Sequence, residues 1–112
     1  MSEGHRDLSS ALQRSIEAGA VTITAEVMPP RGADPAHSLT MAQGLKGFVH
    51  AINVTDGSRA VMRMSSLALC RLLLDEGLEP ILQLACRDRN RIALQSDLLG
   101  AHALGIRNLL CL

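Results

Sequence analysis

The stretch Glu79–Leu112, EPILQLACRDRNRIALQSDLLGAHALGIRNLLCL, most constrains what this chain folds into. Glu79–Leu84 is a short apolar run and Ala85–Asn90 a polar, arginine-rich turn. Arg91–Leu104 carries helical periodicity, with Ile92, Leu94, Leu98, Leu99, Ala101 and Leu104 largely on one face. Gly105 stands where a helix C-cap belongs, and Arg107–Leu112 is a second apolar run. Strand, turn, helix and strand in that order form a parallel βαβ unit, whose crossover is right-handed. The polar turn then lies at the C-terminal end of its strand, where parallel α/β folds place their chemistry.

The same grammar runs upstream. Leu8–Ala18 reads as a short amphipathic helix ended by Gly19. Val21–Met28 is a β-branched strand stopped by Pro29-Pro30, because proline cannot donate to a ladder. Pro35–Leu45 is a helix with Asp34 as its N-cap. Phe48–Val54 is a second strand, followed by the turn Thr55-Asp56-Gly57-Ser58 and a helix over Ala60–Glu76, closed by Gly77. Repeated alternation of this kind specifies a parallel sheet. The predicted fold is α/β, of (β/α)8 TIM-barrel type with about the first four strands present. A doubly wound sheet is the competing architecture. The last strand stops at Leu112 with no helix to cover it. A bare edge is a liability, so residues 1–112 are expected to be the N-terminal portion of a single barrel domain. The alternative is a half-barrel that pairs with a partner.

Composition narrows the function. Net charge is formally zero, which argues against nucleic acid as a partner. No apolar run reaches the roughly 20 residues that span a bilayer, and the N-terminus lacks a secretory apolar segment. A cytoplasmic protein is expected. Cys70, Cys86 and Cys111 show no CxxC spacing, and His37, His50 and His102 no metal-ligand spacing, so no metal site is signalled. Cys86 is expected to be small and buried. Met28, Met41, Met62 and Met64 read as core filler, and His5 falls in the N-terminal segment.

The strand tips offer Glu26, then Asn53, Thr55 and Asp56, then Gln83, Cys86, Arg87 and Asp88. Their convergence on one site is expected. Glu26 is the candidate acid, since desolvation among neighbours such as Val27 and Met28 favours the protonated form. The plainer alternative is a carboxylate facing solvent. The Thr55–Ser58 turn either hydrogen-bonds a ligand or is an Asp-Gly turn with Ser58 capping the next helix. Arg87, Arg89 and Arg91 crowd a helix N-terminus, where the macrodipole disfavours cations. Either an anion binds there, or the turn is solvated with Asp88 or Asn90 as N-cap.

These motifs resemble the methylenetetrahydrofolate reductase family from about Val21 to Leu112. Ala25-Glu26-Val27-Met28-Pro29-Pro30-Arg31 is similar to its Glu-x-x-Pro-Pro-Arg signature, and Asn53-Val54-Thr55-Asp56 to the segment closing its second strand. Arg63-Met64-Ser65-Ser66-Leu67 and Leu82–Arg91 extend the match in register. The resemblance implies a flavoprotein barrel that binds FAD at its C-terminal face. It would take hydride from NAD(P)H and reduce 5,10-methylenetetrahydrofolate to 5-methyltetrahydrofolate, in one-carbon metabolism and methionine biosynthesis. It implies that Glu26 is the catalytic general acid and that Thr55, Asp56 and Gln83 bind the cofactor. Gln83 stands where histidine is frequent; Leu112 matches the residue before a Gly-Asp motif near the flavin. The full-length enzyme would be a homo-oligomer, and this chain alone would be inactive. Two alternatives stay open: another barrel enzyme for a folate or phosphorylated ligand, and a non-catalytic half-barrel that serves assembly.

Overall fold

The computed structural model describes residues 8–112; His5 lies outside them. The order is α1 (Ala11–Glu17), β1 (Thr24–Val27), α2 (Ala36–Gln43), β2 (Ala51–Val54), a 3-10 turn (Ser58–Ala60), α3 (Ser66–Asp75), β3 (Pro80–Leu84), α4 (Arg91–Ala103) and β4 (Leu109–Cys111). The four strands form one parallel sheet in the order β1-β2-β3-β4. Each crossover carries a helix, and the result is the predicted α/β partial barrel. Gly77 and Gly105 follow α3 and α4 with φ of 76° and 90°. That left-handed conformation is the reason the helices end there.

Two-residue alternation sorts the side chains. Val27, Ile52, Val54 and Leu82 belong to one apolar cluster with Leu69, Cys70 and Leu73 of α3. Every residue of β3 is buried, as expected for an inner strand of a parallel sheet. β4 is an edge strand with all three residues exposed.

Several expectations are corrected. The helix expected from Ala60 starts at Ser66, with Ser65, not Ser58, as its N-cap. Residues 61–64 are instead pulled toward β1: Arg63 Nη1 donates to Pro29 O (2.9 Å) and Met64 N to Pro30 O (2.8 Å). Asp34 accepts from Ala36 N, yet Pro35 holds the cap position. The apolar face of α4 buries only Ala101, and Ile92, Leu98 and Leu99 are exposed. α1 buries none of its own residues and is held by hydrogen bonds. Met28, Met41 and Met62 are exposed, and only Met64 packs against the core. Cys86 is exposed and Cys70 is the buried thiol; burial pushes that thiol up to about 12.

Candidate functional site

The site begins with two prolines. Having no N–H, Pro29 and Pro30 offer their neighbours only carbonyls. Ser38 Oγ donates to Met28 O (2.9 Å), and Arg63 and Met64 serve the next two carbonyls. The exit of β1 is thereby fastened to α2 and to the segment before α3. Glu26 lies just upstream, in register with Asn53. It is exposed, so the expected desolvation is not found: alternation gives the covered position to Val27 and the open one to Glu26.

Gln83 comes from β3 and is buried; its Nε2 donates to Asn53 Oδ1 (3.2 Å). Asn53 Nδ2 reaches Ala25 O at 3.5 Å. These contacts bring β1, β2 and β3 together around Glu26, Asn53 and Gln83. Thr55 follows at the tip of β2. It is 4% exposed, and its Oγ1 has no hydrogen-bond partner among the described residues. Buried hydroxyls are seldom left unmet.

Asp56 is committed differently. Its carboxylate accepts from Ala85 N (2.7 Å) and pairs with both terminal nitrogens of Arg89. Arg89 also binds Asp97 (3.1 Å) and Ala85 O (2.9 Å). Asp56, first among its neighbours, holds the Arg89 guanidinium above its ordinary range. Arg87 donates to Gly57 O (2.9 Å) and to Asp88, and it holds the Asp88 carboxyl below the usual carboxylate range. Asn90 caps α4 by accepting from Ala93 N (2.9 Å). The arginine-rich turn therefore neutralises itself and clamps the tips of β2 and β3. Of the two readings of this helix end, the structure shows the turn capped by Asn90, with Arg87 and Arg89 engaged by carboxylates. Arg87 and Asp88 are turned to the clamp, and exposed Cys86 makes no side-chain hydrogen bond among the described residues.

Sequence reasoning missed a cleft of about 630 Å³ beside Glu26, whose lining includes Arg31, Ser58, Arg59 and Arg63. The signal was available: a Pro-Pro pair leaves carbonyls that call for a donor from a distant segment. Among the described residues, no group of three or more His, Cys, Asp or Glu could hold a metal ion. No described helix is long and apolar enough to cross a membrane.

A parallel α/β partial barrel with its polar side chains gathered at the strand tips defines a barrel-enzyme class. The family model for methylenetetrahydrofolate reductase matches residues 11–112, and the chain belongs to that family. Membership gives an oxidoreductase family that reduces folate in one-carbon metabolism. No curated protein matches the chain.

Proposed function

We propose that the chain serves the flavin-dependent reduction of 5,10-methylenetetrahydrofolate to 5-methyltetrahydrofolate, with NADH or NADPH as hydride donor. The reading extends to residues 1–112 as the N-terminal portion of one barrel domain, in a cytoplasmic homo-oligomer. The observation that carries it is the buried, unpartnered hydroxyl of Thr55 at the tip of β2. An unmet polar atom at the chemical end of a parallel sheet fits a ligand's hydrogen-bonding group, and FAD has many. Bound there, FAD would supply two-electron relay between nicotinamide and folate. Thr55 Oγ1 and Gln83 Nε2 would hold it; Gln83 has its second N–H beyond the bond to Asn53. Asp56, engaged by Arg89 and Ala85 N, would serve binding by fixing the turn that presents Thr55. Glu26, exposed in the open cleft, would deliver the proton that opens the folate's imidazolidine ring.

The test is an FAD titration followed by fluorescence quenching, with the mass in solution recorded. Saturable binding, weakened roughly tenfold by Thr55→Val or Gln83→Ala, is expected; tenfold corresponds to about 1.4 kcal/mol. A folded chain that ignores FAD at high concentration would sink the proposal.

A further inference from the structure

The cleft beside Glu26 is charged in a way the flavin contacts do not use. Three arginines, Arg31, Arg59 and Arg63, line it with Glu26 as the one acidic residue. Arg31 and Arg59 are exposed and form no ion pair among the described residues. Among the other described arginines, Arg14 and Arg91 also lack an ion pair but hydrogen-bond to Ser9 and Gln95. Arg71, Arg87 and Arg89 each pair with an aspartate, and Arg107 reaches the end of α4. Unpaired like charges gathered in one concavity raise the local potential and attract an anion.

Arg63 adds direction. Its Nη1 is spent on Pro29 O (2.9 Å), which orients the guanidinium plane. The opposite edge, Nε with Nη2, is the edge that grips an oxyanion through two parallel hydrogen bonds. Its Nε is buried with no partner. Arg59 is held at φ 60° and ψ 24°, and Ala60 follows at φ 58°. Two consecutive non-glycine residues in the left-handed region are costly. They bend the chain so that Ser58, Arg59 and Arg63 all line one cleft.

We infer that Arg31, Arg59 and Arg63 form an oxyanion subsite, which takes a phosphate or carboxylate group of a ligand bound alongside Glu26. Two sources share that chemistry: a phosphate of the nicotinamide donor and a carboxylate of the folate's glutamate. Assigning the source rests on the function proposed above; the subsite itself does not.

The probe is inorganic pyrophosphate, titrated into the chain while the arginine Nε–Hε signals are followed by nitrogen-15 NMR. Signals of Arg31, Arg59 and Arg63 should shift together and saturate, with those of Arg71 and Arg107 unmoved. Arg31→Gln and Arg59→Gln should each weaken binding roughly tenfold, and added salt should weaken it further. Both residues are exposed, so these variants test the idea even if Arg63→Gln, which loses the tether to Pro29, fails to fold. Absent shifts, or equal shifts at all arginines, would overturn the subsite. Shifts with NADP+ but not NAD+ would assign it to the donor's extra phosphate. Shifts with tetrahydrofolate would assign it to the substrate's carboxylate. FAD binding without a pyrophosphate response overturns this inference alone; the reverse result overturns the flavin reading alone.

Discussion

At the N-terminal end of the sheet, Glu79 accepts from Ala11 N and Leu12 N, both at 2.8 Å, and from Asn108 Nδ2 at 3.2 Å. Ser10 caps α1 and donates to Asn108 Oδ1 (2.6 Å). His50 Nδ1 accepts from Ile23 N (3.0 Å). At the C-terminal end, Thr55 Oγ1 and Arg63 Nε are buried and unmet, and Arg31 and Arg59 form no ion pair, among the described residues. One end spends its polar groups on closing the fold. The other keeps several unspent, except in the Asp56–Arg89 clamp that fixes its turns. A polar atom that helps hold a fold has a protein partner; one reserved for a ligand does not.

Substitutions test that contrast. The largest loss is expected where the C-terminal end behaves like the other. Asp56→Ala leaves the largely buried Arg89 guanidinium with Asp97 as its remaining carboxylate and Ala85 N without its acceptor, and should cost about 3 kcal/mol in a urea melt. An unchanged midpoint would show the clamp to be decoration. Glu79→Ala, at the closed end, frees two backbone donors of α1 and should cost about 2–3 kcal/mol. Glu79→Gln, which keeps an acceptor, should cost less.

Next, taken per pH unit, is an alkaline effect from the buried Cys70. Below its ordinary value of 9.0 the thiol is protonated in both states. Between that value and about 12, the unfolded chain releases the proton and the folded chain keeps it. Stability therefore falls as pH rises, by about 1.4 kcal/mol per unit. The chain has no tyrosine and Lys46 as its single lysine, and its other two thiols, Cys86 and Cys111, are exposed. Cys70→Ala should flatten the slope; a slope that survives would place its origin elsewhere.

The smallest effect on stability is expected where the contrast is sharpest. Thr55→Val deletes a buried hydroxyl with no partner and should leave stability within about 1 kcal/mol, or raise it, since nothing is orphaned. The same variant is the one expected to weaken FAD binding. A large loss of stability would mean that Thr55 belongs to the scaffold after all.

Much of this was legible from residue order. The β-branched run before Pro29-Pro30 and the glycines at 77 and 105 marked strand and helix ends to within a few residues. The start of α3 was not legible. Val61 and Met64 continue a helical pattern, but carbonyls more than thirty residues upstream capture Arg63 and Met64 first. Nor was the fate of the arginine-rich turn. Arg89 is one of three similar residues in sequence, and only folding brings Asp56 and Asp97 to it.

The sequence by itself determined the element order, the parallel sheet and the tips at which chemistry gathers. These follow from periodicity and from φ preferences that act over a few residues. The tertiary structure alone decided that Arg89 reaches Asp56, which hydroxyl is left without a partner among the described residues, and that Glu26 stays open while Val27 is covered. Those outcomes depend on side chains some thirty residues apart meeting across strands, at distances that no local pattern encodes.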